Sequence, residues 1–317
     1  MSKCIFTVIN DEWVDILNVF TEAWIRDKPK NVDYILYHDG TVDYATLNHK
    51  PDVFKEINPE LLKHLNYILN NRDEKITIEG LKGFNLSIMA ARIFALEELK
   101  TEYDYSLYLD ADVIVRDLSS LLSLKPTASI AAVECEFSLE AIALIKHYMK
   151  IDLKARLRYA ERHYYSPHGY INAGVMMFNN NKINYKLPFN ISKLFIHCVS
   201  SLKFLDQDFI NMLFAYDIEY LDRSYNFCCP PILYDSENKV IPYPKEIIDY
   251  YLEALDDSKV IHYIAGWRPW HPITCIKKAD IFPFAKVVPH WLDVFKKTPS
   301  LRSFFVDKIN QTSDYFK

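Results

Sequence analysis

Two aspartates separated by one alanine, Asp110 and Asp112, stand between two apolar runs in the stretch YSLYLDADVIVRDL, residues 105–118. A carboxylate next to a run that buries itself needs a partner, because desolvating an unpaired charge is costly. Two hard oxygen ligands this close suit Mg²⁺ or Mn²⁺. On an extended chain, residues i and i+2 face the same side. Open parallel sheets bind ligands beyond the carboxyl ends of their strands, so a strand ending in D-x-D sends both acids to that edge. A metal held there neutralises a diphosphate and stabilises it as a leaving group. The same letters also fit two solvated loop acids, and D-x-D alone does not decide between these readings.

A second enzyme class uses a related pattern. Phosphatases of the haloacid dehalogenase type carry D-x-D-x-[TV] after a strand, with the first Asp as nucleophile. Here Val113 and Ile114 follow Asp112, which is a partial match. That motif usually follows the first strand, whereas residues 1–104 of this chain already alternate between strand and helix patterns.

The elements that must position the acids follow from periodicity. CIFTVI (4–9), VDYILYHDG (32–40), YSLYLDADVIV (105–115), SIAAVE (129–134), INAGVMMFN (171–179) and the start of KVIHYIAGWRPW (259–270) read as strands. Residues 13–25, 59–69, 86–99 and 205–214 carry helical spacing, with proline in the first turn of the second and acids in the first turn of the last. Such alternation predicts an α/β fold with a largely parallel sheet. Residues 155–170 are polar, aromatic and irregular, and 230–246 form a proline-rich loop.

Bulk composition narrows the chemistry. The 317 residues support one large domain or two modest ones. A net charge of −5 gives no electrostatic footprint for nucleic acid. Only six glycines occur, with neither G-x-G-x-x-G nor G-x-x-x-x-G-K-[ST], so a bound phosphate needs another holder. The six cysteines show no C-x-x-C pair and read as reduced thiols of a cytoplasmic protein. The first ten residues lack the apolar core of a signal peptide, and no apolar run has the length of a membrane span.

Taken in order along the chain, YLDADVIV, YINAGVMMFN, LDQDFIN and HYIAGWRPW resemble four motifs of the retaining glycosyltransferases of family 8. That family includes bacterial lipopolysaccharide α-galactosyltransferases and glucosyltransferases, and glycogenin. The resemblance covers roughly residues 3–275. It implies a GT-A fold: a single Rossmann-like nucleotide-binding sheet with acceptor-side insertions over 1–275, and a helical C-terminal extension over 276–317. It implies Asp110, Asp112 and His262 as metal ligands, a set suited to Mn²⁺, with Mg²⁺ as the alternative. It implies Asp206 and Gln207 at the reaction centre, Asp206 accepting from sugar hydroxyls and Gln207 beneath the anomeric carbon. Donor contacts would come from Val8, Asn10, Arg92, Asp110, Ala111, Asn172, Ala173, Ala265, Gly266 and Arg268.

Three departures stand out. Asn10, Glu12 and Trp13 occupy positions where relatives read Asp, Asn and Tyr, although Trp13 keeps an aromatic face. Arg268 replaces the lysine of the late motif, a planar fork in place of a point donor. Ala265 takes a glycine position, with Gly266 next.

The activity so implied is transfer of galactose or glucose from a UDP-sugar to a glycan acceptor with anomeric retention, in bacterial surface polysaccharide or lipopolysaccharide synthesis. Gln207 is a poor nucleophile, which favours front-face attack over two displacements. The acceptor side is open to lipid-linked glycans. Residues 286–317 mix Lys and Arg with aromatics, a pattern open to peripheral contact at the inner membrane face or to docking on the domain itself. A sugar-nucleotide-binding module without catalysis and a self-glucosylating protein acting on one of its 22 tyrosines are the alternatives.

Overall fold

A computed structural model describes residues 1–72, 85–135, 169–202, 204–228 and 243–264. Strands β1 (Lys3–Ile9), β2 (Val32–His38), β3 (Val53–Glu56), β4 (Tyr105–Leu109), β6 (Ile130–Glu134), β7 (Ile171–Asn179) and β8 (Ile218–Tyr220) form a seven-stranded sheet in the order β3-β2-β1-β4-β7-β6-β8. Six strands run one way and β7 alone runs antiparallel to its neighbours β4 and β6. A small second sheet joins β5 (Val113–Val115), β10 (Val260–His262) and β9 (Phe227–Cys228), with β10 central.

Both faces of the large sheet are covered, which explains why its strands read as nearly continuous apolar runs. On β1, Cys4 and Phe6 enter one core while Ile5 and Ile9 enter the other. Helices α1 (Val14–Trp24) and α5 (Leu118–Ser123) contribute to the second of these cores. The first receives α2 (Pro59–Asn70), α3 (Leu86–Ala90), α4 (Arg92–Glu102), α7 (Ile191–Cys198) and α8 (Leu205–Leu213). Helices α6 (Asn180–Lys186) and α9 (Lys245–Asp256) complete the described set. Local chemistry sets their starts: Asn58 accepts from the N–H of Glu60 ahead of Pro59, and Asn85 caps α3 by accepting from Ile88.

Two expectations require correction. Residues 86–99 do not form one helix: the chain breaks at Ala91, and Arg92 opens a new helix. The Nε of Arg92 donates to the carbonyl of Met89, a group the preceding helix leaves unpaired at its end. Nor are Asp110 and Asp112 on one extended strand. β4 ends at Leu109, residues 111–112 turn, and β5 leaves for the other sheet, where it pairs with β10. The acids converge through this turn and not through strand alternation.

Among the described residues no helix is long and apolar enough to cross a membrane. Among the described residues Cys4, Cys135, Cys198 and Cys228 form no disulfide; Cys229 and Cys275 lie outside the described residues.

Candidate active site

The junction between the two sheets brings two neighbouring acids together with a histidine from a distant part of the chain. Ligand atoms of Asp110, Asp112 and His262 lie within 4.8 Å of one another. His262 Nε2 is 3.6 Å from Asp110 Oδ2 and 3.3 Å from Asp112 Oδ1. The histidine is 3% exposed, held on the central strand of the small sheet. Asp110 divides its two oxygens: Oδ2 faces His262, while Oδ1 accepts from Tyr108 Oη at 2.5 Å and sits 3.1 Å from Arg92 Nη1.

Two carboxylates and an imidazole form a donor set suited to Mn²⁺ or Mg²⁺. The backbone is cut away to admit it. A Cβ built on Gly174 would lie 2.6 Å from His262 Nδ1 and 2.9 Å from Asp110 Oδ2. No side chain fits between this strand and the cluster, and one of only six glycines occupies the position.

Arg92 ties this cluster to a second one. Its Nη1 donates to the carbonyl of Ala173 at 2.6 Å, its Nε lies 2.9 Å from Asp206 Oδ2, and its guanidinium stacks 4.4 Å above the Tyr108 ring. One buried guanidinium thus serves two acids, so it stays charged, its pKa raised by Asp110 and Asp206 against the burial that would lower it. Burial pushes the Asp206 carboxyl up to about 7; Arg92 opposes this and the charge on Asp110 adds to it.

β7 makes the link by breaking its own ladder. It stays in register with β4 as far as Val175, and Asp110 N–H donates to Gly174 O at 2.8 Å. Against β6 its register shifts between Met176 and Ile171. The N–H of Ala173 donates to Gln207 Oε1 at 3.0 Å, and its carbonyl accepts from Arg92. Gln207 is therefore fastened to the strand.

Helix α8 enters this site through a strained residue. Leu205 has φ 47°, in the left-handed region, at a cost of about 1–2 kcal/mol. Asp208 holds the turn: one oxygen accepts from Phe204 N–H at 2.8 Å and the other from the Tyr170 hydroxyl at 2.5 Å. The strain falls immediately before Asp206 and Gln207.

Most of the residues singled out in the sequence come together here. Val8, Trp13, Arg92, Asp110, Ala111 and Asp112 line one small cavity of about 70 Å³. Asn10 is buried but is not among that cavity's lining residues, and its Oδ1 has no partner among the described residues. Asn172 and Ala173 already have protein partners: Asn172 Oδ1 accepts from Gly174 N–H and from Asn226 Nδ2, each at 2.9 Å. Ala265, Gly266 and Arg268 lie outside the described residues, as does the extension over 276–317. Sequence reasoning missed Tyr108 and Asn226. The first is masked by its place in an apolar run. The second, in SYNFCC, sits in no pattern that signals a site.

A mostly parallel α/β sheet with an Asp-Asp-His cluster just past its central strand is the architecture of the GT-A glycosyltransferases. Two structures of LgtC share this fold. One is an active-site mutant in which glutamate replaces a glutamine, with TM-score 0.55, 19% identity and coverage of 90% of this chain and 95% of that one. The other is a complex with donor and acceptor sugar analogues, with TM-score 0.54, 18% identity and coverage of 92% and 95%. The profile of Glycosyl transferase family 8 matches residues 7–274, and the chain belongs to that family. Two lipopolysaccharide 1,2-glucosyltransferases of Escherichia coli, one from strain K12, are each 27% identical to it over 214 and 207 residues, 65% of this chain. The chain spans little more than half the length of these relatives, 56% and 55%.

Proposed function

We propose that the protein transfers a hexose, galactose or glucose, from a UDP-sugar to a glycan acceptor with retention of the anomeric configuration, in the synthesis of lipopolysaccharide or a related surface polysaccharide. The observation that carries this reading is the convergence of Asp110, Asp112 and His262 beside the Arg92–Asp206–Gln207 cluster. The family and the names of the E. coli relatives support the substrate class.

Asp110, Asp112 and His262 would hold Mn²⁺ or Mg²⁺, which when bound supplies positive charge against a departing diphosphate. Arg92 keeps Asp110 and Asp206 apart in charge and in place. Asp206, buried and paired with Arg92, would accept from a sugar hydroxyl. Gln207, fastened to Ala173, would face the anomeric carbon, and the LgtC structure of a Gln-to-Glu active-site mutant is consistent with an amide in such a position. Asn172 and Asn10 would make donor contacts, the Oδ1 of Asn10 being without a partner among the described residues.

The two nearby carboxylates are occupied, Asp206 with Arg92 and Asp208 with Tyr170 and Phe204. This supports front-face attack, in which the acceptor oxygen bonds to the anomeric carbon as the glycosidic oxygen leaves with UDP, and a phosphate oxygen takes the acceptor proton. We assign catalysis to residues 1–275 and the protein to the cytoplasm, with residues 276–317 open to contact with the inner membrane face or to docking on the domain itself.

The test is a panel of UDP-sugars incubated with purified protein and a glycan acceptor, with UDP release as readout. Release should require Mn²⁺, stop with a chelator and return on Mn²⁺ addition. Proton NMR of the earliest product should show an α linkage from the α-linked donor. A β linkage, or UDP binding without release from any donor, would refute the reading.

A further inference from the structure

We infer that Asn226 is a positioning residue that sets the proton of His262, through a relay of amides starting at the backbone of Gly174. The inference rests on the metal reading of Asp110, Asp112 and His262.

An amide side chain can point either way, but here one end is anchored to a group that cannot. The N–H of Gly174 only donates, so the atom 2.9 Å away on Asn172 is its oxygen, Oδ1. That oxygen receives its second hydrogen bond, also 2.9 Å, from Asn226, which must present Nδ2. The other end of Asn226 is then Oδ1, and it lies 3.1 Å from His262 Nδ1. Two acceptors do not pair, so Nδ1 carries a proton. In the neutral ring Nε2 then keeps the lone pair, aimed at the space between Asp110 and Asp112, the tautomer a metal requires. The relay crosses from β7 of the large sheet through Asn226 to β10 of the small one. Asn226 is 2% exposed and His262 3%, so water does not substitute for it.

Cys228 is the competitor. Its Sγ lies 3.8 Å from His262 Nδ1 and 3.9 Å from Asn226 Oδ1. With Asn226 in place the thiol has an amide oxygen to donate to. Without it the thiol can donate to Nδ1, shifting the ring proton to Nε2, where it blocks the metal.

The experiment compares the parent with Asn226→Ala and Asn226→Asp, each shown to be folded by circular dichroism. Mn²⁺ is titrated into metal-free protein, with free Mn²⁺ followed by EPR. In parallel, ¹⁵N-labelled histidine spectra of the metal-free proteins locate the ring proton, the His262 signals being identified among ten histidines with His262→Gln. Expected are a protonated Nδ1 in the parent, its loss in Asn226→Ala with about 10–100-fold weaker Mn²⁺ binding, and recovery of the Nδ1 proton in Asn226→Asp, which keeps an acceptor oxygen toward Nδ1 while giving up the donor to Asn172. A bare Nδ1 in the parent, unchanged Mn²⁺ affinity in Asn226→Ala, or equal loss of the Nδ1 proton in the two folded variants would overturn the inference. A parent that takes up no Mn²⁺ would sink the metal reading instead, and the ring-proton measurement would still decide the relay.

Discussion

Gly174→Ala tests whether the metal ligands are held by clearance against the strand beneath them. Gly174 does not sit in the left-handed region, so alanine meets no backbone penalty there and should gain a few tenths of a kcal/mol from a less flexible unfolded chain. The cost is steric. The His262 ring must retreat by more than about 0.8 Å, because Nδ1 must move from 2.6 Å to the 3.4 Å where contact becomes ordinary and Cε1 would lie closer still, and Asp110 Oδ2 must move from 2.9 Å, about 0.5 Å. Neither has room to yield. Asn226 holds the ring at Nδ1, and Tyr108 and Arg92 hold the other oxygen of Asp110. Metal–ligand distances tolerate only about 0.2 Å. The variant should remain folded, lose about 1–3 kcal/mol as an overpacked core does, melt a few degrees lower, and bind Mn²⁺ at least tenfold more weakly. Calorimetric Mn²⁺ titration and thermal melts read both effects. A variant with parental affinity and parental Tm would refute the clearance argument.

Stability of the metal-free protein should depend on Asp206. Its carboxyl is raised to about 7 against about 3.9 when unfolded, so its contribution is fully present below pH 4 and is lost as pH rises through about 7. The urea midpoint of the parent should therefore fall between pH 5 and pH 8 more than that of Asp206→Asn; parallel profiles would remove the assignment. Tyr108→Phe keeps the ring under Arg92 but deletes the hydrogen bond to Asp110, which should cost about 1.5–3 kcal/mol by urea unfolding. An unchanged midpoint would mean that the hydroxyl holds nothing.

The parts of the site carried by unusual chemistry were legible before the fold. Asp110 and Asp112 interrupt an apolar stretch, and acids and an amide cluster at the start of a helix at Asp206 and Gln207. The parallel sheet followed from alternation. What periodicity does not show is pairing partners. The turn at 111–112 exists because β5 joins β10, and nothing local to 113–115 announces a partner at 260–262. The split at Ala91 hides inside an unbroken helical pattern because Ala91 itself stays in the right-handed helical region; what marks it is the Met89 carbonyl taken by Arg92. The left-handed φ at Leu205 is likewise invisible, since leucine is not a residue that advertises it. Gly174 and Asn226 act through distance and hydrogen-bond polarity, which single letters do not encode.

The split between the two sheets also sets when this protein acquires its chemistry during synthesis. The seven-stranded sheet is complete once β8 has been made, at Tyr220, while the small sheet and the metal cluster wait for His262. The loop from Asp110 to His262 is among the longest the chain closes, and its entropy must be offset before either end is rewarded. A ribosome-bound chain can thus present a finished scaffold with no third ligand and no ring for Asn226 to orient. A product truncated before β10 would keep most of its core but lack His262, and so could not assemble the Asp110–Asp112–His262 cluster.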